Sequence, residues 1–377
     1  MEENVPTLND LQFCDEKESV FTSVSNAIDN MEPYLTQRAT IENPATDLSF
    51  DPTDSIAQIR IKGIPYRVTK HALKTLCALV RIPDPFARNI PIDLLETNFK
   101  RLIPLLCASV DIVQRPGTGL VTALVPTTYE PFKSIDFLLG MNDIFKELDA
   151  QNVTVSVNYR NIVISGTSPK FPNIEPVKND IVAVGLTASN SEVKDCKTHA
   201  SLYLLRLACT NGATMPEKEW GGVNYNYSSK YSYEDKCGRF LQGIVSLQSN
   251  FIAMQKVFEE LPNLNLDSES VVYLTKLCGK IVDRETAATA IFGTRKEDLQ
   301  EWSKYEKDRK TFRAFSGVSP IYGHGPLETE INAYNVYNKI TEYSRSGLVS
   351  RDSALIAQAI GGQMLTHLYK KYFATAK

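Results

Sequence analysis

DIVAVGLTASNSEVKDCKTHASLYLLRLACTNGATMP, Asp180 to Pro216, holds two apolar runs with a polar corner after each. The first run extends from Ile181 to Leu186. The second extends from Ser201 to Cys209 and carries one charge, Arg206. Short apolar runs bounded by turn residues predict buried strands. The corners are Ser189-Asn190-Ser191-Glu192-Val193 and Cys209-Thr210-Asn211-Gly212, where Asn and Gly tolerate left-handed backbone. Arg206, if its strand is covered, needs a partner, and Glu192 is the obvious one.

Working outward, Val153-Thr154-Val155-Ser156-Val157 alternates apolar and polar, Tyr159-Arg160-Asn161 turns, and Ile162-Val163-Ile164 returns, which predicts a hairpin. Leu120–Val125 predicts a further strand. Ser134 or Asp136 then caps a helix with Phe137, Leu138, Met141, Ile144, Phe145 and Leu148 along one side. The middle of the chain thus reads β-α-β-β-β-β. Ile59–Ile64 predicts one half-buried strand, and Thr69 caps a helix through Leu73, Leu76 and Val80. From about Asp235, the residues Phe240, Ile244, Leu247, Phe251, Met254, Phe258 and Leu261 form a heptad seam. Such a seam suits packing on the sheet or pairing with a second copy. Further helices are expected around 271–277, 285–292, 299–312, 328–345 and 354–372.

The expected fold class is α+β: a central mostly antiparallel sheet, long helices packed on it, and a helical C-terminal third. The expected organisation is an acidic, partly disordered segment over 1–55, an α+β core domain over 56–262 and a helical region over 263–377. The first twenty residues, rich in Glu and Asp, are expected to be a mobile tail.

Four segments also carry a resemblance. They are Asn190-Ser191-Glu192-Val193, Arg206 to Gly212, the strand Val121 to Phe132 with its Tyr129-Glu130-Pro131 turn, and Asn335 to Tyr343 with its Thr-Glu-Tyr ending. Together they resemble the uncharacterised phage/plasmid-like protein family, a domain of unknown function, over roughly Ile59 to Tyr343. One departure stands out: the family pattern has glycine after its Asn-Ser-Glu-Val, and this chain has Lys194. The resemblance implies a phage- or plasmid-type protein in the cytoplasm of a bacterial host. It implies no activity.

Composition narrows the function classes. The chain has 377 residues, is 43% hydrophobic and carries a net charge of −3, with a sequence pI of about 5.9. No global positive field draws it to nucleic acid, so any such site is a local patch. The seven cysteines are widely spaced and include no CxxC pair, which suits reduced, buried thiols. No signal peptide and no membrane span are expected. The four histidines, His71, His199, His324 and His367, lack metal-ligand spacing, and there is no phosphate-loop or nucleophile-elbow motif. Cys209 with His199 is the one nucleophile pair to weigh, and buried cysteine is the commoner case. No metal, no cofactor and no catalytic residue is therefore assigned.

Two segments combine cations for phosphates with flat rings for bases, as binding to single strands requires. One is the loop with Trp220, Tyr225, Tyr227, Lys230, Tyr231 and Tyr233, flanked by Lys236 and Arg239. The other is a helix carrying Lys304, Lys307, Arg309, Lys310 and Arg313. A third group is the family-motif corner of Asn190, Ser191, Glu192, Arg206, Thr210, Asn211 and Gly212. Its two halves are expected to meet at one end of the sheet as a structural corner or a phosphate site. The leading expectation is a non-enzymatic binder of single-stranded nucleic acid that anneals or recombines strands and assembles into a homo-oligomer. A sheet crossed by a long helix is also the design of single-strand annealing proteins, a likeness of fold alone. The rivals are a module engaging a host or phage protein, such as a modulator of host defence, and an enzyme acting on nucleotides or nucleic acid.

Overall fold

The computed structural model describes residues 6–14, 18–53, 56–178, 180–206, 211–214, 222–228, 230–247, 251–316, 327–343 and 351–373. The side chains of 206, 211–214, 251–254, 309–316 and 351–352 are outside that description. The strands in chain order are β1 (Ser19–Phe21), β2 (Gln37–Ile41), β3 (Leu48–Phe50), β4 (Gln58–Ile61), β5 (Ile64–Arg67), β6 (Val110–Arg115), β7 (Leu120–Pro126) and β8 (Gln151–Val157). They continue with β9 (Ile162–Thr167), β10 (Ile174–Val177), β11 (Asp180–Asn190), β12 (His199–Arg206), β13 (Asn211–Thr214), β14 (Gly222–Asn224), β15 (Asn265–Asp267) and β16 (Glu328–Asn332).

The fold is α+β. A large antiparallel sheet runs in the order β1-β8-β9-β11-β12-β13, with β10 also on β11 and β14 on β12. Along β11 the residues Val182, Val184, Leu186 and Ala188 face a core shared with Ala200, Leu202 and Leu204 of β12. The helices Ser134–Glu147, Tyr233–Val245, Ala333–Glu342 and Arg351–Leu368 all contribute to that core. The hairpin β8–β9 forms as its alternation predicts. Asn158 makes its turn by accepting from the amides of Arg160 (2.8 Å) and Asn161 (2.9 Å).

A second core belongs to the first third of the chain. It gathers β2 to β7 and the helices Lys70–Leu79 and Ile92–Leu102 around Ile59, Leu73, Leu76, Leu95 and Phe99. Thr69 caps its helix as expected, accepting from the amide of Ala72 at 3.0 Å. The stretch expected as one strand from Ile59 to Ile64 is instead the hairpin β4–β5. Lys62 (φ +50°) and Gly63 (φ +79°) form its two-residue turn, for which positive φ at both positions is the requirement.

The boundaries of the cores differ from the sequence expectation. The division falls near residues 126–132 rather than at 56 and 263, and the N-terminal segment serves both cores. Leu8 and Leu11 are buried in the second core despite the acids around them. Ser19–Phe21 then supplies the edge strand of the large sheet, paired with β8. Val24, Ala27, Met31 and Tyr34 follow in the large-sheet core. The chain returns to the second core at Ile41. Part of the tail expected to be mobile is thus anchored, by Leu8 and Leu11 with Phe13 packed beside them; residues 1–5 and 15–17 lie outside the description.

The heptad seam is divided between the helices Tyr233–Val245 and Phe251–Glu260. Phe240, Ile244, Leu247, Phe258 and Leu261 all sit in the large-sheet core, so these seam residues pack within the chain. Phe251 and Met254 lie outside the described side chains.

Candidate binding cleft

The corner after β11 joins the two cores. Asn190 is fully buried; its amide donates to the Phe132 carbonyl at 2.9 Å, and its Oδ1 accepts from Thr198 Oγ at 2.6 Å, which closes the loop across its own base. Ser191 Oγ donates to the Arg160 carbonyl at 2.7 Å and accepts from the Asp195 amide at 3.0 Å. Val193 crosses into the neighbouring small sheet and packs with Val113, Ala123 and Val125, against Tyr129. Lys194 has φ of +63°. That is the left-handed region, which glycine enters without a Cβ penalty.

Glu192 has different partners from the one expected. Its carboxylate accepts from Thr36 Oγ at 2.6 Å and from the backbone amide of Ser134. It thereby caps, from outside, a helix whose own N-cap residue, Lys133, offers no capping side chain. Arg38 binds the backbone on both sides of the joint, donating to the Glu192 carbonyl at 3.0 Å and the Tyr129 carbonyl at 2.9 Å, with Asp111 at 3.6 Å. The Tyr129 hydroxyl donates to the Ser191 carbonyl at 2.9 Å.

The two polar corners do not meet. Ser189 pairs with His199 at one end of the β11–β12 ladder, and Val182 pairs with Arg206 at the other. Seven steps of strand separate His199 from Arg206, about 23 Å at 3.3 Å each. No arginine side chain spans that, so the expected Arg206–Glu192 pair is excluded. The same separation keeps Asn211 apart from Asn190 and Glu192. Asn211 and Gly212 lie in β13, opposite Arg206 and Leu205, and Thr210 is outside the described residues.

Beside the corner, between the two cores, lies an open cleft of about 700 Å³. Thr36 and Arg38 line it from the small-sheet side. Thr127 to Pro131 and Glu192 also line it, as do Lys133, Tyr233 and Glu234 from the helical side. Rings and cations are paired along it. Arg38 lies over the Tyr129 ring at 5.6 Å, Lys194 over the same ring at 5.9 Å, and Lys133 over Tyr233 at 5.3 Å. The Tyr233 hydroxyl donates to Asp136 at 2.7 Å and accepts from the Lys133 amide at 3.1 Å. Burial pushes both the Tyr129 and Tyr233 phenols well above the ordinary range, so both rings are neutral at any working pH.

The residues expected to bind nucleic acid fall into distinct environments. Tyr225 is 2% exposed and stacks on Phe132 at 5.3 Å, which leaves no open face for a base. Lys236 is 1% exposed and ion-paired with Glu130, so it is committed to the fold and not free for a phosphate. Tyr227 is half-buried, stacked on Tyr129 at 5.5 Å, with its hydroxyl hydrogen-bonded to Thr198. Tyr233 forms part of the cleft wall. Lys230 is exposed, and Tyr231 is exposed with the Arg239 guanidinium over its ring at 4.3 Å. Lys304 and Lys307 are exposed on the helix Lys296–Ser316, which packs on Ser268–Cys278 and buries Glu306 against Ser268 (2.8 Å). Arg309, Lys310 and Arg313 belong to that helix, and their side chains lie outside the description, as does all of Trp220.

Sequence reasoning missed Thr36, Arg38, Lys133, His71 and Asp195. Tyr129 and Glu130 carried a signal, the Tyr-x-Pro turn, whereas a lone arginine alternating along a short strand carries none. Among the described residues no three or more His, Cys, Asp or Glu side chains are placed to hold a metal ion, and no described helix is long and apolar enough to cross a membrane. No family model, curated protein or solved structure matches this chain.

Proposed function

We propose that this protein, of the phage/plasmid type its motifs resemble, binds a short stretch of single-stranded nucleic acid in the inter-core cleft as a non-enzymatic partner, in the cytoplasm of a bacterial host. The observation that carries this reading is the exposed cation–ring pair on the cleft wall, Lys133 over Tyr233; Arg38 and Tyr129 beside it are already bonded within the joint. Cations meet phosphates and rings meet bases, the two requirements for sequence-tolerant strand binding. Tyr231 with Arg239 extends the series, since two residues of chain put Tyr231 within about 7 Å of Tyr233. The cleft volume, about 700 Å³, is in the range of ordinary ligand sites and suits a few nucleotides rather than a long strand.

Titration of a fluorescently labelled oligonucleotide against salt tests the reading. Lys133 and Arg239 together give an expected log–log salt slope of about −1.4, the single-strand value for two contacts. Lys133→Ala reduces that slope by about 0.7 for every sequence alike. No binding at low salt refutes it. The rival ligand is a basic segment of a host or phage protein, favoured by the net charge of −3 and by Glu130 and Glu234 on the same walls.

A further inference from the structure

Glutamates 130, 192 and 234 line the cleft, and two of them are already committed. Glu192 accepts from Thr36 and from the Ser134 amide, and Glu130 is ion-paired with Lys236. Glu234 differs from both. It is exposed in the first turn of the helix Tyr233–Val245, and among the described residues no side chain is hydrogen-bonded to it or ion-paired with it. It follows Tyr233 directly, so its Cα lies about 3.8 Å from the Cα of the residue whose ring carries Lys133. A phosphodiester strand laid along this wall therefore meets an uncompensated carboxylate beside the ring. Like charges brought together cost affinity, unless the ligand sets hydrogen-bond donors at that point.

We infer that Glu234 makes the cleft selective for guanine in the strand it binds; the inference rests on the single-strand reading above. The donors that vary along a strand are on its bases, and an unstacked base exposes its Watson–Crick edge. A carboxylate offers two neighbouring oxygens that only accept. Guanine presents N1–H and N2–H next to one another, one for each oxygen. Cytosine and adenine set an amino donor beside a ring nitrogen that only accepts, so one carboxylate oxygen faces a lone pair. Thymine and uracil place a single N–H between two carbonyls. Guanine alone satisfies both oxygens of Glu234 while its ring lies against the Tyr233 wall. A two-bond contact of this kind discriminates between bases by roughly 5- to 150-fold, and water around an exposed carboxylate puts Glu234 at the lower end, about five- to tenfold.

The probes are short labelled oligothymidylates whose central residue is deoxyguanosine, deoxyinosine, deoxyadenosine, deoxycytidine or thymidine. Anisotropy titrations at low salt compare wild type with Glu234→Gln, an exposed substitution of the kind that leaves the fold intact. Wild type is expected to bind the guanine probe about five- to tenfold more tightly than the all-thymidine one, and inosine, which lacks the N2 amino group, to lose most of that gain. Glu234→Gln is expected to weaken the guanine complex and to tighten the thymidine complex, because it removes one acceptor and the negative charge together. Wild-type affinities within about twofold across the set overturn the inference and leave the single-strand reading standing. So does a variant that gains affinity for guanine and thymidine alike, since its carboxylate then only repels. Binding of none of the probes refutes the single-strand reading, and this inference with it.

Discussion

Replacing Gly185 by alanine tests the central ladder directly. Gly185 lies in β11 opposite Thr167 of β9, beside the bond from the Ser168 amide to the Val184 carbonyl at 2.8 Å. A Cβ at this position overlaps the Gly166 carbonyl oxygen by roughly 1 Å and also runs into the Gly166 carbonyl carbon and the Thr167 Cα. All three are backbone atoms, so no side chain can swing aside, and β9 must move off β11. Overpacking of this kind costs about 1–3 kcal/mol. Opening the ladder adds about 1–3 kcal/mol for each buried polar group left unpaired. A loss of about 3–6 kcal/mol is expected, a large share of a typical total stability. Gly238 provides the control: it lies inside the helix Tyr233–Val245, and a Cβ there meets nothing within 4 Å. Gly238→Ala should stabilise by about 0.5–1 kcal/mol through helix propensity. Urea unfolding followed by far-ultraviolet circular dichroism compares the two. A Gly185→Ala protein within 1 kcal/mol of wild type would refute the close approach of β9 and β11.

Three further outcomes are expected. Glu192→Ala removes an outside cap and the Thr36 bond and should cost about 2–3 kcal/mol, with faster amide exchange over 134–137; unchanged exchange there would count against the cap. Lys194→Gly should leave stability unchanged or slightly raised, whereas Lys194→Val should lower it by about 1–2 kcal/mol in thermal or chemical unfolding, since a β-branched residue fits φ of +63° poorly; equal stabilities would contradict that backbone. Burial works against the charge of Asp267, but the hydrogen bonds from Lys371 and Ser270 outweigh it and hold its carboxyl below the ordinary range. Its contribution is thus present above about pH 4 and lost as pH falls through the lower folded value, and Lys371→Met should flatten that acid limb in unfolding curves measured from pH 5 to 2.5.

Local pattern made the strands and most helices legible, because period-2 and period-3.6 apolar spacing reflects burial directly. β8, β9, β11 and β12 and the helix with Phe137, Leu138 and Met141 are examples. The partner of Glu192 was not legible, because Thr36 and Ser134 lie 156 and 58 residues away and leave no periodic trace. The separation of the two corners, by contrast, is legible in the sequence. A strand that runs from one turn to the next holds those turns at its opposite ends. Tyr225 and Lys236 misled for another reason: a loop rich in rings reads the same whether its rings face water or each other, and only the Phe132 cluster shows which.

The placement of β1 has a consequence for the order of folding. Val20 pairs with Ser156, so the edge strand is synthesised roughly 130 residues before its partner. At translation rates of about 5–20 residues per second, it waits on the order of 7–26 seconds with Leu8 and Leu11 on one side of it and Val24 and Ala27 on the other. The second core can assemble around the first pair in that interval, whereas the strand itself stays unpaired until the β8–β9 hairpin emerges. Three residues long, with Val20 left largely exposed even when paired, β1 presents little backbone for a wrong partner while it waits.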